Sequence, residues 1–231
     1  MILPQPPQFT PRLDVLPPAQ QALWPELAET PDQFTLYGGT AIALRLGHRE
    51  SVDFDFFTRQ PFDPRGLLGS VPYLRDAEPY KIEPGSLGCR VHREGAPVQL
   101  SFFQPQDFPS LEGAARTDDI GLPVASLRDL AVTKLTVIQQ RAEKKDYLDL
   151  HALMHQANMQ LEDMLSDAHI AYGKQYAPLA SMQAMAYFED GDVSALPDAV
   201  KRDLEKDVAA VDLDRLAERL RDQDRGSEIE P

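Results

Sequence analysis

Cysteine is almost absent from this chain: of 231 residues only Cys89 carries a thiol. One thiol cannot close an intrachain disulfide, so no disulfide framework holds the fold. A reducing cytoplasm is the setting that matches. Cys89 lies in an alternating stretch, where a small buried side chain is commoner than a nucleophile. Long apolar runs are absent too. None approaches the roughly 20 residues that span a bilayer, and no membrane partner is expected. The first residues have no basic start followed by an apolar core, so they do not read as a secretory signal. Basic residues are scarce, with 23 Lys and Arg against 37 Asp and Glu, a formal net charge of −14 and a pI of ≈ 4.7. An extensive nucleic-acid footprint needs clustered cations, and this balance argues against one. A local basic pocket, or one small nucleotide whose charge a metal offsets, stays compatible with it.

What is present is ordinary for a globular protein. Hydrophobic residues make up 42% and charged residues 26%, enough apolar material for a core that needs neither disulfides nor a structural metal. The length suits one large domain, or a catalytic domain with a smaller second unit.

Prolines at 4, 6, 7, 11, 17 and 18 predict an extended arm over residues 1–18, since this spacing opposes helix and central strand alike. A helix is expected over about 19–29, with Leu23, Trp24 and Leu27 on its apolar side. Phe34–Tyr37 reads as a strand, Gly38-Gly39 as a break, residues 40–46 as a helix, and Gly47 as its C-terminal cap. Ser51–Phe57 alternates as a strand. Pro61 to Pro64 reads as a turn, and residues 65–70 as a short helix. Tyr80–Glu83, Cys89–His92 and Val98–Phe103 read as an antiparallel meander separated by turn sequences. From Ser126, a helix N-cap residue, the pattern is helical. The expected architecture is α+β: a mixed-sheet domain over 19–124, a helical domain over 125–222, and a charged, flexible tail over 223–231.

Two features carry chemistry. Asp53 and Asp55 are two residues apart on a strand, so both carboxylates leave the same face, about 7 Å apart at the backbone. Ser51 shares that face, while Val52, Phe54 and Phe56 are expected to point into a core. Paired carboxylates repel unless a cation lies between them, and Mg²⁺ takes one or two carboxylates together with phosphate oxygens. Just upstream, a strand, then Gly38-Gly39, then a helix start leaves N–H groups converging on one spot that favours phosphate. Thr40 adds a hydroxyl and Arg49 a guanidinium suited to phosphate oxygens. Taken singly, a Gly-Gly pair is usually a turn and an Asp-X-Asp a solvated strand edge. The pair also serves as the metal motif of nucleotide-sugar glycosyltransferases. The ordered combination is more specific.

The run LYGGTAIALRLGHRESVDFDFF resembles the nucleotidyltransferases of the AbiEii/AbiGii toxin family, within the DNA polymerase beta-like superfamily. The likeness extends from about Leu36 to about Leu153, and more weakly to Tyr187–Gly191. It implies a nucleotidyltransferase-like sheet domain in which Gly38, Gly39 and Thr40 contact nucleotide phosphates and Asp53 and Asp55 bind Mg²⁺ (or Mn²⁺). It implies transfer of a nucleoside monophosphate from a nucleoside triphosphate to a hydroxyl acceptor in RNA, protein or a small molecule. It further implies an antitoxin protein as partner. Such enzymes place a third carboxylate on a neighbouring strand. Here that strand reads Val98–Phe103, and Gln99 and Ser101 stand on the face where the acid belongs. A nucleotide-binding module with impaired catalysis is therefore an alternative to an active enzyme.

The segment SLRDLAVTKLTVIQQRAEKKDYLDLHALM carries the second constellation. On one continuous helix Lys134, Arg141 and Lys145 fall within roughly 40° of one direction, on the side of Leu127, Leu130, Ala131 and Ile138. The plainer alternative is snorkelling, with the cations' stems covering apolar surface. The functional reading turns them toward a cleft between the two domains, where a triphosphate would pair with them. Asp146 and Asp149 follow at i,i+3. They either hold Arg141 or Lys145, or one supplies the base missing from the sheet. The family's later motif is a lysine, an arginine, then Lys-Asp and a further Asp, which Lys134, Arg141, Lys145, Asp146 and Asp149 match in order. His48 adjoins the first motif, with a helix C-terminal role expected. His151 and His155 have a zinc-compatible spacing, but no third ligand is evident in the sequence.

Overall fold

The computed structural model describes residues 6–105 and 110–227. The chain forms two compact units. The first runs to Ser126 and includes Glu112–Ser126; the second begins at Leu127 and takes in Ser110 and Leu111.

The first unit contains β1 (Gln8–Phe9), α1 (Pro18–Leu23), β2 (Thr35–Tyr37), α2 (Gly38–Leu46), β3 (Asp53–Phe57) and α3 (Pro64–Ser70). It continues with β4 (Glu78–Glu83), β5 (Ser86–Arg93), β6 (Ala96–Phe103), β7 (Ala115–Thr117) and β8 (Pro123–Val124). Among the described residues the strands form one mixed sheet of order β1-β7-β8-β2-β3-β6-β5-β4. The expected meander is its β4–β5–β6 end, with antiparallel pairing throughout. The α+β class and the mixed sheet expected from the sequence are both found.

Several boundaries differ for identifiable reasons. Within the arm, Gln8 and Phe9 pair in parallel with Arg116 and Thr117, a position at the sheet edge where proline neighbours are tolerated. Pro18 opens α1 rather than preventing it, because its missing N–H is one that a helix start leaves unbonded anyway. The helix expected over 19–29 is two pieces, since Pro25 interrupts it and Trp24–Glu29 tightens into a 3-10 helix. The strand expected from Ser51 begins at Asp53, so Val52 lies before the alternation and is exposed. Residues 1–5 of the arm lie outside the described residues.

Aromatic side chains fill the core under the central strands. Phe34, Phe54, Phe56 and Phe102 are fully buried. Phe56 stacks on Phe102 at 5.0 Å between ring centroids, and Phe34 meets Phe102 edge-on at 5.1 Å. Cys89 is also fully buried, and burial pushes its thiol up to about 12.

The second unit contains α4 (Leu127–Val137), α5 (Lys144–His155), α6 (Leu161–Tyr172), α7 (Pro178–Met185), α8 (Asp198–Ala209) and α9 (Leu213–Ser227). The helix does not continue from α4 through Lys145, the condition for aligning Lys145 with Lys134; the segment forms two helices. In α4 the hydroxyls of Thr133 and Thr136 bond back to the carbonyls of Asp129 and Thr133, a pattern that loosens a helix. The chain turns after Val137 and restarts at Lys144. There Asp192 Oδ1 accepts the Lys144 N–H at 2.6 Å, satisfying a donor that the new helix start leaves open. The turn carrying Asp192 needs Gly191, whose φ is +56° and where a Cβ would lie 2.4 Å from the Ala142 carbonyl oxygen. The segment expected to be a flexible tail from 223 remains helical to Ser227. Gln223 donates to Ser166 Oγ at 2.5 Å; residues 228–231 lie outside the described residues.

Two outcomes test this core. Phe56→Ala removes a fully buried ring and is expected to cost about 3–5 kcal/mol in urea denaturation. Cys89 is expected to stay unreactive to a thiol reagent at pH 8 until denaturant is added, because a buried thiol with a raised pKa presents almost no thiolate. Rapid labelling of the folded protein would contradict its placement.

Candidate active site

Strand β3 is the base of the candidate site. Its residues alternate half-buried and buried, so Phe54 and Phe56 enter the core while Asp53 and Asp55 share the opposite face. The core therefore fixes which way the carboxylates point. Tyr37 of β2 pairs with Asp55, which sets the start of α2 beside that carboxylate.

Gly38 and Gly39 are the first residues of α2 rather than a turn before it. Gly38 has φ of +74°, which a residue with a side chain rarely adopts. A Cβ there would lie 2.8 Å from Asp55 Oδ2. Glycine thus permits both the backbone turn from β2 into α2 and the close approach of Asp55. Gly47 caps the other end, donating its N–H to the Ala43 carbonyl at 2.7 Å.

Thr40 and Ser51 are both buried. Their hydroxyls are hydrogen-bonded at 2.7 Å, and Thr40 also donates to the Asp53 carbonyl. These bonds tie α2 to the beginning of β3 and fix Asp53. Arg49, half-buried, donates to the Glu50 carbonyl at 2.9 Å. Half-buried Gly38, Gly39, Asp53, Asp55 and Arg49 are thus reachable from solvent, whereas the Thr40 hydroxyl is turned inward.

The neighbouring strand settles where a third carboxylate could come from within the sheet. β3 pairs in parallel with β6, setting Asp53 opposite Gln99 and Asp55 opposite Ser101. Val98, Leu100 and Phe102 are fully buried on the other face. Continuing outward from Gln99, the row reaches Arg90 on β5 and then Glu78 on β4. The positions flanking the aspartate pair thus hold an amide, a hydroxyl and a guanidinium. The first carboxylate met along that row is three strands from Asp53.

In the helical unit, Lys134 of α4 is buried, with Nζ 2.6 Å from Asp146 Oδ1 and 2.6 Å from Asp149 Oδ2 of α5. Both aspartates are fully buried. Arg141 donates through Nε to Asp146 Oδ2 at 2.9 Å, so both oxygens of Asp146 accept from cations. The later motif is therefore a compact cluster of two cations and two carboxylates, with no net charge. Lys145, half-exposed, instead pairs with Glu143 at 3.0 Å. The basic stripe expected on one straight helix does not form, because the helix breaks between Lys134 and Lys145. The sequence pattern missed Asp192. Its only signal there was a Gly-Asp pair in a turn, and its role depends on where the chain returns to α5.

With this geometry in hand, known proteins give a consistent picture. Residues 22–228 match the model of the family described as nucleotidyl transferase AbiEii toxin, type IV TA system. An uncharacterised protein of Aquifex aeolicus (strain VF5), aq_aa25, is 32% identical over 161 residues, covering 69% of this chain and 75% of that protein. Among solved structures, MenT4, a nucleotidyltransferase toxin of Mycobacterium tuberculosis H37Rv, superposes with a TM-score of 0.53 at 16% identity. That match covers 87% of this chain and 85% of MenT4 and shows a shared fold. The chain belongs to the AbiEii nucleotidyltransferase toxin family.

Two substitutions test the site's construction. Gly38→Ala forces a left-handed residue with a side chain against Asp55, and is expected to cost about 1–3 kcal/mol of stability. Lys134→Ala removes the buried cation that bridges Asp146 and Asp149, leaving Arg141 as the cation on Asp146, and is expected to cost about 3–5 kcal/mol. An unchanged urea midpoint for Lys134→Ala would show that the cluster is not the buried charge pairing described.

Proposed function

We propose that the protein is an active nucleotidyltransferase that moves a nucleoside monophosphate from a nucleoside triphosphate to a hydroxyl acceptor, with Asp53 and Asp55 as the metal-binding carboxylates. The observation that carries this reading is the β3 geometry: two carboxylates on one face, beside a glycine-built helix start that a Cβ would obstruct. The donors are hard oxygens, which suit Mg²⁺ or Mn²⁺. The residues present therefore fit the metal that the family implies, and when bound it would offset phosphate charge.

The chain's own groups supply the remaining parts. The N–H groups of the first turn of α2, from Gly38 onward, have no partner within the helix and lie at the positive end of its dipole, and such a start favours a phosphate. Arg49 adds charge-assisted hydrogen bonding. Thr40 and Ser51 act as positioning residues by holding the Asp53 backbone. Lys134, Asp146 and Asp149 order the junction of α4 and α5, and Arg141 and Lys145 are assigned to nucleotide phosphates on the strength of the family's later motif. In the transfer the acceptor hydroxyl gives up its proton to water and its oxygen bonds to the α-phosphorus, the bond from that phosphorus to the bridging oxygen breaks, and pyrophosphate leaves. Neither Gln99 nor Ser101 is a base at neutral pH, so β6 does not take the acceptor's proton.

That last point favours a second reading, a module that binds nucleotide without turning it over. Incubation with α-labelled nucleoside triphosphates, Mg²⁺ and a range of RNA, protein and small-molecule acceptors separates the two. An active enzyme labels an acceptor, and Asp53→Asn or Asp55→Asn lowers the rate by about 100-fold or more. Nucleotide affinity by calorimetry with no labelled product across all acceptors would favour the module. Family membership also supports a toxin held by an antitoxin protein. Growth arrest on overexpression, lost with Asp53→Asn, is the expected cellular outcome.

A further inference from the structure

Two histidines in the helical unit are left unused by this reading. His151 and His155 lie four residues apart on α5, so one stands above the other on the same helix face. α8 presents Asp203 and Asp207 at the same spacing. The two pairs meet as two rungs: His151 Nε2 lies 3.4 Å from Asp203 Oδ2, and His155 Nε2 lies 2.9 Å from Asp207 Oδ2. The imidazole rings run side by side, with centroids 4.4 Å apart and planes 29° apart. One ring nitrogen of each histidine and an oxygen of Asp203 all lie within 4.8 Å of one another.

Those separations are close to what a tetrahedral metal needs. Bonds of about 2.0–2.1 Å place neighbouring ligand atoms about 3.4 Å apart. The His151–Asp203 pair already stands at that distance. Among His151, His155 and Asp203 the remaining adjustment, about 1 Å or a little more, is within reach of side-chain rotation. All four side chains are partly exposed, so an ion can reach them. His155 and Asp207 also line a cavity of ≈ 610 Å³ in the same unit, together with Met159 and Arg215. Lys206 lies 3.8 Å from the other oxygen of Asp203 but is largely exposed, and its amine is free to swing into water.

We propose that His151, His155 and Asp203 form an interhelical site for a divalent transition metal of the zinc type, with Asp207 as a supporting carboxylate against His155, distinct from the carboxylates of β3. The donor set gives the selectivity. Two imidazoles with a carboxylate suit Zn²⁺, Co²⁺ or Ni²⁺, whereas Mg²⁺ prefers oxygen ligands and retained water. Two aspartates also balance the ion's charge. The site thus has three protein ligands, with the fourth tetrahedral position left to water. It would staple α8 to the second half of α5, the helix whose first half carries Asp146 and Asp149. The competing account is a pair of plain His–Asp ion pairs, which need no metal.

The experiment uses the full chain, stripped with a chelator and then titrated with ZnCl₂ while excess Mg²⁺ fills the carboxylates of β3. One equivalent is expected to bind and to raise the melting temperature. The Co²⁺-loaded protein is expected to show the intense visible bands of nitrogen-ligated tetrahedral cobalt. His151→Gln and His155→Gln retain hydrogen-bonding side chains and are each expected to weaken binding about tenfold or more. Asp207→Asn provides an independent third variant, and His92→Gln, on β5, is expected to bind as the parent does. Absence of saturable binding overturns the site. So does binding that survives the His151→Gln/His155→Gln double substitution, or binding lost in Asp53→Asn.

Discussion

A strand turns successive side chains to opposite faces, and in β3 that alternation couples the core to the chemistry. Phe54 and Phe56 are fully buried, Phe56 against the ring of Phe102. Sliding the strand by one residue would drive two carboxylates into an aromatic core and two rings into water. The penalty is large enough that the direction of Asp53 and Asp55 is decided by packing rather than by the aspartates themselves, which repel each other. The hydroxyls of Thr40 and Ser51 add the longitudinal restraint, since they anchor the Asp53 end of the strand to α2. Gly38 completes it by letting Asp55 and the start of α2 occupy nearly the same space.

The helical unit resolves a different charge problem. A buried lysine is tolerated when its charge is paired and hydrogen-bonded. Lys134 meets two carboxylates, and Arg141 supplies the second cation that keeps the cluster neutral. The motif's order along the chain reflects this arithmetic: the helix breaks after Val137, so the acids of α5 can fold back onto a lysine of α4. Asp192 and Gly191 make that break tolerable by capping the new start. Of the residues that form a row on a helical wheel, Lys134 is paired inside the unit with Asp146 and Asp149. Arg141 and Lys145 keep partial exposure.

What could be read in advance follows from the range of the interaction involved. The alternation of Asp53-Phe54-Asp55-Phe56 is local, and so are the glycine break and the Gly47 cap, so these were legible from residue order alone. The β3–β6 register was legible in effect, because Val98, Leu100 and Phe102 could only face the core, leaving Gln99 and Ser101 beside the aspartates. The edge pairing of Gln8 and Phe9 with β7 was not legible, since it joins segments more than a hundred residues apart. Neither was the end of α4, where back-bonding threonines outweigh an otherwise continuous helical pattern. His151 and His155 could be seen as a pair, but the carboxylates facing them belong to a helix some fifty residues later.

The distribution of charge bears on what the enzyme could accept. With a net charge of −14, the long-range field repels polyanions, and at physiological salt that repulsion fades over about 8 Å. Under the proposed function, a nucleoside triphosphate would be captured inside that range by a bound cation, the α2 start and Arg49. A long RNA must instead lie across an acidic surface and would gain little from counterion release, which requires many cationic contacts. In the row running out from Asp53, Arg90 stands beside Gln99, so the first charged side chain beyond the aspartate is a cation.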